Sequence, residues 1–357
     1  MIRLLAVSLL SLVVACGESF VPPSAVTDFR IVGAKTEVQG DPARANPSPG
    51  DSVQVSLLAV DQGVPEDAAS GEPTLTPGLL QWELVPCVPL PVTLGVPICG
   101  LEITPCEGCE ATPPQDPLGT PIVRFPVPSQ EVLDTLEANS VLLQGVVCSN
   151  GKPTSRDAIL RFVSGETDEL EPCQGDPVQA DRPIEGRFVT ITIPIEDDPS
   201  DPNLNPEIRN IIVDNDDNAP WPPPYDQEVP RDAPSTGCAA GLSEEQQMGL
   251  PRAGDPPLTL NLVVTPESLQ TYTVDEMELT EEIQVSWLAD GGGYQTSFSF
   301  ISEPANSVLT SWQPPASVPD DGQLVRFTFV VRDGRGGTDW AERGLCIRSA
   351  EADASPP

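Results

Sequence analysis

The sequence predicts an all-β protein made of antiparallel β-sandwiches, and three observations support that prediction. Apolar and polar residues alternate at a period of two along several segments, as half-buried strands require. Helical patterns are scarce and turn residues are frequent, since the 357 residues include 28 glycines and 43 prolines. The order of the segments also repeats along the chain, which indicates two domains built on one plan.

The alternating segments mark the predicted strands. In residues 53–59 every second side chain is apolar and falls on one face. The same spacing recurs around Phe29 and Ile31, at Val189, Ile191, Ile193 and Ile195, at Leu258, Leu260, Leu262 and Val264, at Ile283, Val285 and Trp287, and at Val325, Phe327, Phe329 and Val331. Helical patterns are predicted only for residues 129–139 and 243–250, each opened by a serine that suits a helix N-cap.

Two successive parts of the chain show the repeated plan. Each opens with a strand, at residues 25–38 or 206–213, and continues with an alternating strand. A strand with a central tryptophan follows, Trp82 in one part and Trp287 in the other. Residues 197–205 are rich in Asp, Pro and Asn, and their composition predicts a fairly stiff linker between the two parts.

The N-terminal segment carries the sharpest motif. A basic Arg3 precedes an apolar run, and the run ends in the residues LVVAC with Cys16 last. This resembles the lipobox of bacterial lipoproteins, which implies cleavage before Cys16, a lipid on its thiol and membrane anchoring. The alternatives are an ordinary secretory signal and a spanning helix. The run of about eleven residues suits a signal but is shorter than the roughly 18 residues that span a bilayer.

Beyond this motif, the chain resembles bacterial surface lipoproteins with tandem Ig-like or PKD-like β-sandwiches. The resemblance is carried by the lipobox, residues 26–34, the strands of Trp82 and Trp287, and residues 330–337. It implies adhesion, scaffolding or ligand presentation at the outer membrane or cell surface, with a periplasm-facing position as the alternative. We therefore expect a signal peptide at 1–15, a lipidated tether at 16–24, Ig-like sandwiches at 25–196 and 206–349 joined by the linker at 197–205, and a disordered tail at 350–357.

Composition limits the partners. The net charge is -36, from 54 acidic and 18 basic residues. Nucleic acid is disfavoured, because binding a phosphate backbone needs a basic surface. We expect contact with the membrane through the lipid alone, and an unknown extracellular protein or glycan as the partner of the folded domains.

The cysteine count suits an exported protein. Of nine cysteines, eight remain after Cys16 for disulfides. Cys238 and Cys346 stand alone in the second part and are expected to pair. The pairing among Cys87, Cys99, Cys106, Cys109, Cys148 and Cys173 is left open by the sequence. For the pair Cys106 and Cys109, a redox or zinc site is the alternative to structural disulfides.

Catalysis is not expected. The sequence has no histidine, which is the commonest acid–base residue of enzymes. The expected function is a non-catalytic binding, adhesion or structural module. The alternative is a secreted carboxylate-dependent hydrolase acting on polysaccharide, because so many acids leave room for a catalytic pair.

Calcium is the one cofactor that a motif suggests. Asp214, Asp216, Asp217 and Asn218 resemble the interdomain calcium motif of cadherins, and closely spaced oxygen ligands suit this cation. A calcium-stiffened spacer is therefore a further hypothesis for the function. The alternative is a solvated acidic turn, because the motif follows what we interpret as the first strand of the second domain.

Three tryptophans lie in less regular segments than Trp82 and Trp287. These are Trp221, Trp312 and Trp340. Core packing is expected for all five tryptophans, and exposure to a glycan or peptide is the alternative for these three.

Overall fold

The computed structural model of the chain describes residues 22–61, 80–91, 97–104, 121–175, 184–196, 201–213, 221–227, 229–230, 233, 235–274 and 276–350. Several predicted features lie wholly or partly outside the described residues: the signal peptide, Cys16, Cys106, Cys109, residues 197–200 of the linker, the calcium motif at Asp214, Asp216, Asp217 and Asn218, and the tail from residue 351. In the described residues the protein is mainly β and its sheets are antiparallel, as the sequence predicts.

The first half of the described chain, residues 22–196, contains two sheets that share one core. A three-stranded sheet has the order β1-β2-β5 and a four-stranded sheet the order β4-β3-β6-β9, while β7 and β8 form a separate pair. The strands are β1 (Arg30–Val38), β2 (Ser52–Val60), β3 (Gln81–Pro89), β4 (Cys99–Glu102), β5 (Ile122–Pro126), β6 (Ser140–Asn150), β7 (Lys152–Pro153), β8 (Cys173–Gln174) and β9 (Glu185–Pro194).

The second half, residues 206–350, also contains two sheets around one core. Their orders are β10-β11-β17-β15 and β16-β14-β18-β19, and β12 and β13 form a separate hairpin. The strands are β10 (Ile208–Val213), β11 (Leu258–Val264), β12 (Thr271–Val274), β13 (Met277–Thr280), β14 (Ile283–Ala289), β15 (Gly293–Tyr294), β16 (Phe298–Ile301), β17 (Ser307–Gln313), β18 (Gln323–Arg332) and β19 (Thr338–Ile347).

The two halves follow the same strand order. Seven strands correspond between the halves: β1, β2, β3, β4, β5, β6 and β9 in the first, and β10, β11, β14, β16, β17, β18 and β19 in the second. The first, second and fifth of these seven pair in one sheet, as β1-β2-β5 and as β10-β11-β17. The remaining strands pair as β4-β3-β6-β9 and as β16-β14-β18-β19, with the tryptophan strand second in each list. The repeated order that the sequence suggests is therefore present in the pairing of the strands.

Alternation predicts the inward faces correctly. Val53, Val55 and Leu57 of β2 are buried in the core of the first half, together with side chains from β3, β6 and β9. In the second half, Phe327 and Phe329 of β18 contact the aromatic residues of the core, with ring centroids 6.2 Å apart. The period-two pattern places these side chains between the two sheets of each half.

Three α-helices occur in the described residues, one more than expected. The predicted helices are present as α1 (Gln130–Leu136) and α3 (Glu244–Met248). The additional helix is α2 (Arg156–Val163), and a short 3₁₀ helix covers Pro266–Ser268. The sequence analysis did not predict α2, although Ser155 before it is an N-cap signal of the kind used for the other two helices.

Candidate functional site

An insertion after β6 builds a cavity on the outer face of the first half's four-stranded sheet. The described part of the insertion, residues 151–175, contains α2, which begins where the Ser155 hydroxyl accepts the backbone N–H of Ala158 at 3.3 Å. Ile159 and Val163, four residues apart, fall on one side of the helix and are buried in a small apolar cluster with Val85 and other residues of the sheet. The helix therefore covers part of the sheet without belonging to the main core.

Covalent and ionic contacts fix this insertion to the sheet. A disulfide joins Cys148 of β6 to Cys173 of β8, with 6.0 Å between the Cα atoms. Arg156, in the first turn of α2, donates to Glu83 at 3.2 Å and also binds Glu102. Burial lowers the pKa of the Arg156 guanidinium, but its bonds to Glu102 and Glu83 together outweigh burial and leave that pKa above its ordinary value.

The cavity beneath α2, which we call the α2 cavity, has a volume of about 590 Å³. This lies within the range of roughly 300 to 1,000 Å³ found for ligand pockets. Its walls include Phe162 of α2 and Phe188 of β9, whose rings meet edge to face at 5.0 Å. The described lining residues are Pro97, Ile98, Gln144, Phe162, Val163, Gly165, Thr167, Asp168, Phe188 and Thr190.

Gln144 is the buried polar side chain of this cavity. It is 1% exposed, and its Nε2 donates to the carbonyl of Pro97 at 3.1 Å and to the hydroxyl of Thr190 at 3.3 Å. Its Oε1 is buried and has no hydrogen-bond partner among the described residues. An unpaired buried acceptor is unfavourable by about 1 to 3 kcal/mol, so a donor that reached this oxygen would be stabilised.

The two halves pack against each other through sheet faces. Leu58 and Val60 of β2 point away from the first core and meet Leu288 and Val330 of the second half, and we call this cluster the apolar interface. The full set of residues is Val26, Val32, Leu58, Val60, Leu288, Val330 and Trp340. Both faces of β2 are therefore buried, which is why its second half lacks the polar positions that simple alternation predicts.

Between the halves lies a group of buried and partly buried polar residues, which we call the polar joint: Asn203, Gln270, Glu281, Asp333 and Arg335. One oxygen of Asp333 accepts the backbone N–H groups of Arg335, Gly336 and Gly337 at 2.7, 3.0 and 2.9 Å. Its other oxygen accepts the side-chain amide of Asn203 at 2.9 Å. Burial raises the pKa of Asp333, and these hydrogen bonds oppose the increase.

The turn from β18 to β19 can wrap around this carboxylate because two of its three glycines, Gly336 and Gly337, approach other atoms closely. A Cβ atom on Gly337 would lie 2.3 Å from Oδ2 of Asp333. Gly336 has a φ of +123° and approaches Asn46 of the first half, where a Cβ would lie 2.6 Å from the amide oxygen. Both positions therefore need glycine, the first for close approach and the second also for backbone conformation.

The other residues of the polar joint bind one another and the described part of the linker. Glu281, whose side chain is buried, forms an ion pair with Arg335, and the Arg335 guanidinium lies 4.1 Å from the ring centre of Tyr272. Burial raises the pKa of Glu281, Arg335 opposes this, and the nearby Asp333 adds to it. Gln270 accepts the backbone N–H of Leu204 at 2.8 Å and donates to the carbonyl of Pro202 at 3.2 Å.

The predicted linker therefore lies against the protein in its described part, residues 201–205. Asn203 has no exposed surface. Asn205 donates to the carbonyl of Thr36 in β1 at 2.8 Å and accepts the N–H of Thr338 in β19 at 3.0 Å. These contacts join the first half, the linker and the second half.

The cysteines predicted to form disulfides do so wherever the structure describes both partners. The pairs are Cys87 with Cys99, Cys148 with Cys173, and Cys238 with Cys346. The last pair is the one that the sequence singles out, and it ties the long segment between β10 and β11 to β19. Cys106 and Cys109 lie outside the described residues, as do Cys16 and the calcium motif.

Other sequence candidates are placed in the cores or have structural partners. Trp221, Trp287 and Trp312 are buried in the second half, and their indole N–H groups donate to Gly344, Ser299 and Gly291. Trp82 and Trp340 are partly buried, the first against the core of the first half and the second at the apolar interface. Within the described ranges, no group of three His, Cys, Asp or Glu residues has the geometry for a metal ion.

Sequence reasoning missed the residues that give these sites their chemistry. Gln144 interrupts the apolar run of β6 between Val141 and Cys148, and that polar residue was the available signal. Asp333 lies in a segment used above for the family resemblance, yet its role depends on Asn203, which is distant in sequence. A period-two pattern assigns faces of a strand and cannot show which outer face another part of the chain covers.

Neither a protein-family model nor a curated protein matches the sequence. In the part of the chain that the structure describes, the helices lack the length and apolar character needed to cross a membrane.

Proposed function

We propose that the protein is a non-catalytic, lipid-anchored module of the bacterial outer membrane or cell surface, built from two Ig-like β-sandwiches with a binding or structural role. The anchor is proposed from the lipobox at Cys16. The role of the folded part is proposed from the way in which its two halves are joined.

The strand order supports the Ig-like assignment. Such sandwiches place the first, second and fifth strands in one sheet, and the third, sixth and seventh in the other, with a buried tryptophan on the third. Both halves follow this order, and Trp82 and Trp287 lie on the third strand of each. In both halves the fourth strand joins the tryptophan sheet, whereas in constant-type Ig domains it joins the other sheet.

The bonding of the two acids in the polar joint is the observation that supports a non-catalytic role. A carboxylate-dependent hydrolase needs two acids facing a substrate cleft. Glu281 and Asp333 are two buried acids near the boundary of the halves, but Arg335 occupies one and four N–H donors occupy the other. Neither acid is among the residues that line the α2 cavity. Their bonding supports a structural role, that of holding two sandwiches in one arrangement.

The anchor is tested by intact mass and detergent partitioning of the protein expressed in a bacterial host, beside Cys16→Ser. We expect acyl mass and partitioning into detergent for the native chain, and loss of both in the variant. Proteolysis of whole cells then reports whether the domains face outward. A native chain that is unmodified and stays in the aqueous phase would contradict the lipid anchor.

A further inference from the structure

We infer that the α2 cavity is a binding site for a small aromatic molecule that carries an N–H or O–H donor and no negative charge. The inference depends on the proposed role as a binding module but not on the lipid anchor. Its evidence is the shape of the cavity, the chemistry of its walls and the unpaired oxygen of Gln144.

The walls favour an aromatic ligand. Phe162 and Phe188 already meet edge to face, and a third ring can extend that arrangement because aromatic pairs favour edge-to-face and offset contacts. Pro97, Ile98 and Val163 add aliphatic surface around the rings. A volume of about 590 Å³ is large enough for a bicyclic compound.

The polar groups specify a donor on the ligand. Both bonds of the Gln144 amide that the structure contains use its nitrogen, so its oxygen is the group left to accept. A site with an unpaired buried acceptor discriminates against a ligand of the same shape that has no donor. The bonds to Pro97 and Thr190 also fix the orientation of the amide, since they hold its nitrogen toward β9 and the start of β4.

Charge excludes anionic ligands. Asp168 is the one ionisable side chain among the described lining residues. The whole chain carries a net charge of -36, which repels anions at low salt. A cationic group on the ligand is compatible with Asp168 and with the faces of the two phenylalanine rings.

Indole and 1-methylindole test the donor. They share a ring system, but only indole has an N–H group. Calorimetric titration into the full chain carrying Cys16→Ser, with its disulfides intact, avoids uptake of ligand by acyl chains. We expect a single indole site with a Kd on the order of 1 mM or tighter, and about tenfold weaker binding of 1-methylindole. Equal affinities, or no saturable binding of indole, would overturn the inference.

Tryptamine and indole-3-acetate test the charge in the same titration. We expect tryptamine to bind more tightly than indole-3-acetate by about tenfold at low salt, with the difference shrinking as salt is added. Tighter binding of the anion would overturn the assignment of the ligand class. These comparisons use one protein, so they hold even if a variant fails to fold.

Variants then locate the site. Phe162→Ala should weaken indole binding by about tenfold, whereas Phe300→Ala, which removes an exposed aromatic ring from the second half, should leave it unchanged. Gln144→Leu should remove the preference for indole over 1-methylindole. Equal weakening by Phe162→Ala and Phe300→Ala would show nonspecific binding and contradict the site. Failure of binding would leave the anchor measurement unaffected, so the two proposals can fail separately.

Discussion

The two halves share a strand order but extend it at different places. The first half inserts residues 151–184 between β6 and β9, and the described part of this insertion, residues 151–175, lies over the outer face of its four-stranded sheet. The second half connects the corresponding strands by Asp333–Gly337 alone, and the outer face of that sheet packs against the first half. The second half instead inserts residues 214–257 between its first two strands. The connection between the last two strands therefore decides whether a sheet face forms a cavity or an interface.

This difference explains where polar residues occur on the two outer faces. Gln144 and Thr190 face the α2 cavity of the first half. Leu288 and Val330 lie on the outer face of the second half, because another sheet covers them. A covered face is stabilised by apolar contact in proportion to its area, whereas a cavity wall can retain a polar group.

Removing one disulfide from each half should give the largest effects. Cys238 and Cys346 are 108 residues apart, and Cys148 and Cys173 are 25 apart. On the chain-entropy estimate, replacing both cysteines of a pair by serine lowers the free energy of unfolding by about 5 kcal/mol for the first pair and about 3.5 kcal/mol for the second. Denaturant unfolding under non-reducing conditions measures both.

The two disulfides should also differ in their effect on ligand binding. Loss of the Cys148–Cys173 disulfide should also reduce indole binding, because that disulfide fixes the insertion that forms the α2 cavity. Loss of the Cys238–Cys346 disulfide should leave binding unchanged in folded protein. If removal of the Cys148–Cys173 disulfide, which closes the shorter loop, lowered the free energy of unfolding more, loop length would not determine the contribution of the disulfides in this protein.

Asp333→Ala tests the polar joint. The change leaves three backbone N–H groups and the amide of Asn203 without their acceptor, and we expect a loss of about 3 kcal/mol in the free energy of unfolding. Calorimetry should then separate the unfolding of the two halves into two transitions. Glu166→Ala is the control, since it removes an exposed ion pair with Arg161 and should cost at most about 1 kcal/mol. Equal losses for both variants would contradict a special role for Asp333.

The position after the tryptophan strand is apolar in the first half and ionisable in the second, so only the second half responds to pH there. Leu90 follows β3, whereas Asp290 follows β14 and accepts the N–H of Arg326 at 2.8 Å. Burial raises the pKa of Asp290 to about 7, and the bond and charge of Arg326 oppose this. Between the ordinary carboxyl pKa and about 7, the folded state keeps a proton that the unfolded state has released. Stability is therefore lost as pH rises through this window.

Asp290→Asn should remove that loss while keeping an oxygen for the Arg326 bond. The variant's stability relative to the native chain should increase from pH 4 to pH 7, with a slope of at most about 1.4 kcal/mol per pH unit. Urea unfolding at several pH values measures the slope. Asp320→Asn, at an exposed carboxylate, is the matched control. A constant difference between Asp290→Asn and the native chain across this range would show that Asp290 does not titrate there.

The helix caps should give the smallest effects. Ser155 caps α2 in the first insertion, and Ser243 caps α3 in the second, where Gln246 completes a capping box. Alanine at either position should cost about 1 kcal/mol in local stability, measured by hydrogen exchange of the helix. Ser129→Ala is the control, because the Ser129 side chain makes no capping bond. Only Ser155→Ala should also weaken indole binding, and an equal effect of Ser243→Ala would argue against the position of the ligand.

The fold was more predictable from sequence than the sites. Alternation located β2, β9, β11, β14 and β18, because each has one face in a core. It did not predict that Leu58 and Val330 are buried on their outer faces, since that burial comes from the other half. The carboxylate of Asp333 and the amide of Gln144 depend on contacts between residues far apart in sequence. No local pattern encodes such contacts.

The pairing of the N-terminal segment sets how an anchored molecule would be oriented. Ala289 of β14 donates to the carbonyl of Ser24 and accepts the N–H of Val26, so the chain enters beside the second half. A tether from Cys16 to Pro22 reaches at most about 20 Å. With a lipid on Cys16, as proposed, the tether would end at the boundary between the halves. The boundary between the two sandwiches, rather than the far end of either one, would then be the part of the protein nearest to the attachment point in the bilayer.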